Sequence, residues 1–240
     1  MIRVKKGQSQ FFNDLPANKA GVLPSTRYQG SKYKILQWID YYTKDLKFNS
    51  VLDAFGGTGC VGYMFKKNGK QVFYNDSLKF NYYVGLGIIE NSETVLNDND
   101  IEFILQKNSK INYPTFIYDT FHDIYFTDEE NKWLDVVIKN IEQIKNKYKQ
   151  ALAHYALFQA CIIKRPYNLF HRKNLYIRTA EVERSFGNKK TWDTPFEDHF
   201  RKFIEEGNSA VFNNGKENKA FHSDIFDSDV NADLVYIDTP

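Results

Sequence analysis

Three acidic residues, each at the end of a short apolar run, carry the chemistry open to this 240-residue sequence. Asp53 begins Asp53-Ala-Phe-Gly-Gly-Thr-Gly59, Asp76 ends Gln71-Val-Phe-Tyr-Asn-Asp76, and Asp238 follows Leu234-Val-Tyr-Ile in Asp238-Thr-Pro240. Glycines after a strand permit positive φ and close backbone approach, and the helix start beyond them offers free amides to a ligand. A carboxylate ending the next strand accepts the hydroxyls of an adenosine ribose, whichever cofactor carries it. Asp76 lies 23 residues after Asp53 and 19 after Gly57, which suits that role. With Ser77 it is also a good N-cap for a helix near Leu78. Gly57-Thr-Gly59-Cys-Val-Gly62 matches the dinucleotide fingerprint as well. On this loop alone, a nicotinamide-binding oxidoreductase, a methyltransferase and a tight turn that binds nothing all remain open.

The elements that must position these acids follow from periodicity. Residues 31–46 read as a helix with Ile35, Leu36 and Ile39 on one face. Residues 50–55 read as a buried parallel strand ending in the glycine turn, residues 61–67 as a helix stopped by Gly69, and residues 71–76 as a second strand. That is one βαβ unit of an α/β sheet. From residue 78 to about 210 the pattern turns mainly helical. Residues 126–148 carry Trp133, Val137, Ile141 and Ile144 at helical spacing, and residues 151–163 read as a buried helix ended by Pro166. The α/β pattern resumes near residue 218. The expected organisation is therefore an N-terminal part of the catalytic sheet at 1–77, a helical insertion at 78–210, and a return to the sheet at 211–240.

A third segment, Arg27-Tyr-Gln-Gly-Ser-Lys32, precedes the first strand. With Asp53-Ala-Phe-Gly-Gly-Thr-Gly59 and Asp238-Thr-Pro240, taken in that order, the chain resembles N6-adenine-specific DNA methyltransferases of Dam-like motif order and restriction-modification type. The resemblance covers nearly the whole chain. It implies an α/β, Rossmann-like sheet dependent on S-adenosylmethionine, with a mainly helical inserted recognition region. It also implies roles for matched positions. Tyr28 and Lys32 would lie near the methionine end of S-adenosylmethionine, Asp53, Phe55, Gly57 and Gly59 would line its loop, Asp76 would hold the ribose, and Asp224 would sit near the adenine. Asp238 and Pro240 would belong to the catalytic motif, Asp-x-Pro-Tyr. The partner implied is double-stranded DNA with a flipped adenine, and a cognate restriction endonuclease acting on the same site is a further expected partner. The chain stops before the motif's Tyr, so the resemblance leads us to expect a truncated form with little or no activity, its last strand left as an exposed apolar edge.

Charge adds a candidate DNA surface. Formal net charge is only +2, yet residues 1–34 and 164–190 are each strongly basic, while residues 90–150 are acidic. The segment 164–195 interleaves its basic residues with Phe170, Tyr176, Phe186 and Trp192. Arg165, Arg172, Lys173 and Arg178 are the expected phosphate or base-edge contacts, although a solvated surface loop would have the same composition. The two cysteines, Cys60 and Cys161, supply no disulfide framework, and the spacing of the five histidines suggests no metal. No signal peptide or membrane-length apolar run occurs, which points to a cytoplasmic setting.

Overall fold

The computed structural model describes residues 21–23, 30–166, 173–181 and 189–239. Its centre is a four-stranded parallel sheet in the order β3-β2-β1-β4. The strands are β1 (Ser50–Asp53), β2 (Gln71–Asn75), β3 (Lys219–Phe221) and β4 (Leu234–Tyr236). Parallel strands need crossovers that cover both faces, and the buried Val51, Leu52 and Val72 show that covering. The first crossover is α2 (Cys60–Lys67), which Gly69 ends at φ 74°. Register pairs Asp53 with both Tyr74 and Tyr236, so the carboxyl ends of β1, β2 and β4 finish at one level. Strand order reverses between β1 and β4, and such a switch point opens a crevice beyond the strand ends.

Before β1, residues 31–46 do not form one helix. A 3-10 turn at Lys32–Ile35 leads into α1 (Leu36–Thr43). The tighter winding turns Ile35 out to solvent, so only Leu36 and Ile39 of the expected face are buried. Between β2 and β3 the chain forms α3 (Lys79–Val84), a π-helix at Gly85–Glu90, α4 (Asp98–Leu105), α5 (Phe116–Phe121), α6 (Asp128–Glu142), α7 (Lys147–Lys164), α8 (Leu175–Thr179), α9 (Lys189–Asp193) and α10 (Phe196–Ala210). The apolar periodicity over 126–148 is interrupted because the Asn146 side chain caps a new helix, accepting from the amides of Tyr148 and Lys149. Capping boxes start α4 (Asn97 with Asp100) and α6 (Thr127 with Glu130).

These helices do not form a separate body. One apolar cluster runs from Val51 and Val72 of the sheet through Ile88 and Ile89 of the π-helix to Leu152, Tyr155, Phe200 and Ile204. On the other flank, β4 is the edge strand of the described sheet, and Val235 and Ile237 are 48% and 66% exposed. Among the described residues no helix is long and apolar enough to cross a membrane.

One of the buried lysines has no acidic partner among the described residues. Lys66 of α2 is fully buried, donating to the carbonyls of Ile88 (3.2 Å) and Asn91 (2.9 Å) with its ammonium 4.7 Å from the Phe212 ring centre. Burial lowers its pKa from 10.5 to about 7. The neutral amine is the form that folding favours, so the stability it contributes at high pH is lost as pH falls from 10.5 toward 7. Lys66→Met should flatten the pH dependence of unfolding free energy across that window in urea titrations. Parallel curves for variant and parent would refute the assignment.

Candidate functional site

The β1–α2 loop turns through Gly57 and Gly59, at φ 51° and 71°, which β-carbon-bearing residues rarely adopt. Its path is fixed from below. Tyr74 of β2 is fully buried, and a β-carbon at either Gly56 or Gly85 would collide with its ring. Its single hydroxyl proton lies between the Gly57 carbonyl (2.7 Å) and the Asn81 carbonyl (3.0 Å), joining the loop to α3. The Asp76 carboxylate completes the brace. One oxygen accepts from the Gly57 amide (2.9 Å) and Asn81 Nδ2 (3.0 Å), and the other from the Leu78 amide (2.8 Å). Asp76 thus both turns the chain into α3 and holds the glycine loop. With three donors bound, about one of its four lone-pair sites stays open.

Asp53 sits beneath this loop and is almost completely buried. It accepts from the Gly62 amide in the first turn of α2 (3.0 Å). Burial drives its pKa from 3.8 up to about 7; the Gly62 hydrogen bond opposes this, and the nearby Asp238 and Asp76 charges add to it. Asp238 follows β4 and meets Lys32 of the 3-10 turn, Nζ to Oδ2 2.7 Å. Lys32 also donates to the Gly30 carbonyl (3.1 Å).

A cleft of about 230 Å³ gathers Lys32, Asp53, Phe55, Gly57, Asp76 and Asp238 along its walls. Gly59 does not line it; it caps α2 between the lining residues Thr58 and Cys60, with the side chains of Val84 and Ile88 nearest it. Asp224 is not part of this wall. It is exposed, and its carboxylate caps the 3-10 turn Ile225–Asp227, accepting from the Phe226 amide at 3.1 Å. Tyr28 and Pro240 lie outside the described residues. Sequence reasoning missed Ser31, Asn81 and Tyr236, which also line the cleft. For Tyr236 a signal existed, since it stands two residues before Asp238 on the same strand. Asn81 offered none, because its side chain reaches Asp76 only through the fold of α3.

The basic block departs from expectation. Arg165 does not face solvent; it is 1% exposed, its guanidinium lies 4.4 Å from the Tyr125 ring centre, and it donates to the Tyr125 carbonyl at 3.1 Å. Burial lowers its pKa to about 10. Arg178 is likewise buried, forking onto both Glu130 oxygens at 2.9 and 2.7 Å. Lys164 joins the same carboxylate at 2.8 Å and donates to the carbonyls of Trp192 and Thr194. Burial would raise the Glu130 pKa, but Arg178 and Lys164 outweigh it and hold the carboxyl below its ordinary range. Arg165 and Arg178 were expected to face DNA; the structure places both inside, each satisfying buried acceptors within the helical layer. Lys173 is exposed and pairs with Asp123 at 2.6 Å. Arg172 lies outside the described residues.

Two outcomes follow. Asp53 is more easily buried neutral, so the stability present below pH 3.8 should decline as pH rises to about 7, and Asp53→Asn should remove most of that decline in urea titrations. A decline of equal size in the variant would place the titration elsewhere. Arg178→Ala leaves Glu130 short of a buried partner and should lower unfolding free energy by about 3 kcal/mol. Unchanged stability with weakened binding to duplex DNA would restore the DNA-facing role.

Comparison with known proteins supplies the context for this cleft. The family model of D12 class N6 adenine-specific DNA methyltransferases matches residues 28–240. The type II methyltransferase M2.HphI of Haemophilus parahaemolyticus is 35% identical over 90% of the chain and 66% of its own length. The type II methyltransferase M.NlaIII of Neisseria lactamica is 30% identical over 50% of the chain and 38% of its own length. Modification methylase StsI of Streptococcus sanguinis is 28% identical over 89% of the chain and 33% of its own length. The chain thus spans between about a third and two thirds of the curated relatives it matches. No solved structure matches it significantly. With Lys32, Asp53, Asp76 and Asp238 lining one cleft and the family match running through all four, the chain belongs to the D12 class N6 adenine-specific DNA methyltransferases.

Proposed function

We propose that the cleft binds S-adenosylmethionine and carries out methylation of the N6 amine of adenine in a specific duplex DNA sequence, as the protective half of a restriction-modification system in the cytoplasm. The observation that carries this reading is the convergence of Asp53, Asp76 and Asp238 on one crevice beside the glycine loop. The donor set fits the cofactor. Asp76 keeps about one lone-pair site for a ribose hydroxyl. Asp53 offers a buried carboxyl whose ionisation a cationic ligand favours, and Phe55 and Leu78 supply apolar wall. The cofactor, when bound, supplies an electrophilic methyl group on a cationic sulfur.

The chain's part is position and electrostatics. An exocyclic adenine amine is a poor nucleophile, because its lone pair is delocalised into the ring. In this reading Asp238 accepts one of its N–H bonds and directs the lone pair along the axis of transfer. S-adenosylmethionine held by Asp53 and Asp76 would supply the methyl group and be released as a neutral thioether, while N6, held by Asp238, would give up one proton to solvent. The adenine must first leave the duplex, at a cost of a few kcal/mol. Exposed Lys173, together with Arg172, is the candidate for phosphate contact in the 164–195 segment. Asp224 is assigned to the cofactor's adenine by resemblance to the family. A restriction endonuclease of the same specificity is the expected companion.

The test uses the full-length protein, radiolabelled S-adenosylmethionine and adenine-containing duplex DNA, with calorimetry on S-adenosylhomocysteine. Asp76→Ala should weaken S-adenosylhomocysteine binding at least tenfold, about 1.4 kcal/mol, whereas Asp238→Ala should abolish transfer and leave that binding within a few-fold of the parent. Cofactor affinity insensitive to Asp76, or transfer that survives loss of Asp238, would sink the proposal.

A further inference from the structure

We propose that Lys32 is a positioning residue that acts on Asp238, not on the cofactor. The inference rests on the adenine-methylation reading and deepens it. Lys32 is the only cation among the described residues that line the cleft, where three carboxylates meet. Of these it selects Asp238, at 2.7 Å from Oδ2. The backbone aims it there. Lys32 opens the 3-10 turn that Ser31 caps, and the Ser31 hydroxyl lies 3.4 Å from that of Thr58 in the glycine loop. The Gly30 carbonyl takes a second bond from the ammonium at 3.1 Å. Lys32 is therefore anchored at its root to the cofactor loop and at its tip to the residue after β4.

The consequence for Asp238 is directional. One carboxylate oxygen is committed to Lys32, and Oδ1 has no hydrogen bond among the described residues. A single oriented acceptor is what an exocyclic amine needs, since its lone pair must lie along the line of transfer while an N–H bond points at the carboxylate. Without the lysine, the Asp238 side chain is free to rotate and lies in the field of Asp53 and Asp76. A misplacement near 1 Å at such a step costs roughly a hundredfold in rate. The pair is too exposed, at 32% and 29%, to be a device for stability, since water screens ion pairs so exposed. Position is what it provides.

The experiment compares parent, Lys32→Met and Lys32→Arg in the full-length protein, measuring kcat for transfer to duplex DNA, the Kd of S-adenosylhomocysteine and the melting temperature. Lys32→Met should lower kcat about a hundredfold while Kd and melting temperature stay within twofold and about two degrees of the parent, and Lys32→Arg should recover most of the rate. A tenfold loss of S-adenosylhomocysteine affinity with kcat intact would assign Lys32 to the cofactor and overturn the inference. So would a kcat unaffected by either substitution. A parent protein that binds S-adenosylhomocysteine but methylates no adenine removes the functional reading itself, and this inference with it; that result is separable because it appears before any variant is compared.

Discussion

The glycine loop between β1 and α2 can take only one path, because Tyr74 fills the space beneath it. A phenol ring between Gly56 and Gly85 excludes a β-carbon at either position, and its hydroxyl reaches the carbonyls of Gly57 and Asn81. The Asp76 carboxylate then holds the Gly57 amide from the side. Aromatic packing of this kind is stiff, since interiors are close-packed and tolerate little volume change. The geometry of the cleft is therefore set by the sheet itself, one strand away from the loop it shapes. This is why Tyr74 and Asn75 end β2 and Asp76 follows it: the first supports the loop, the second ties Ala54 to Ser223, and the third braces Gly57.

Electrostatics within the cleft follow from that packing. Burial makes Asp53 hold its proton to higher pH, and the Asp238 and Asp76 charges around the same crevice add to that. A site with surplus negative charge favours a cationic ligand, and burial strengthens the preference because water screens it less. Lys32 offsets one carboxylate without entering the floor of the site, since its ammonium stays near the rim with Asp238 and the Gly30 carbonyl. The division is physical: acids at the strand ends, a single cation on the turn that closes over them.

The helical layer solves a different problem, that of polar groups placed inside an apolar core. Glu130 caps its own helix through the Thr127 amide while receiving Arg178 and Lys164. Lys66 satisfies two carbonyls at the π-helix without an acidic partner. Because these groups tie α6, α7, α8 and α9 together, and because the apolar cluster continues from Leu152 and Phe200 into the strands, the helical layer and the sheet share one core. The cost of burying an unpaired charge explains why each cation found an acceptor.

Much of the sheet was legible in the sequence, since a buried parallel strand leaves a short apolar run and a glycine loop leaves its own spacing. Both strands of the βαβ unit, the helix between them and the stop at Gly69 were readable because local periodicity and positive φ are properties of neighbouring residues. The gathering of Asp53, Asp76 and Lys32 could be expected from motif order, whereas the charge pair between Lys32 and Asp238 joins residues far apart in the chain and required the β1–β4 register. The fate of the basic block was hidden for the same reason. Composition counts Arg165 and Arg178 as positive charge, but only packing decides whether a guanidinium meets solvent or a buried carboxylate. Likewise the exposure of Asp224 and the turn at Ile35 depend on neighbours that no local pattern specifies. The sequence by itself determined which elements form and which acids end them, because those follow from short-range sterics and hydrophobic period. Only the tertiary structure decided which charges are spent inside the protein and which are left facing the cleft, because burial and pairing are set by residues remote in the chain.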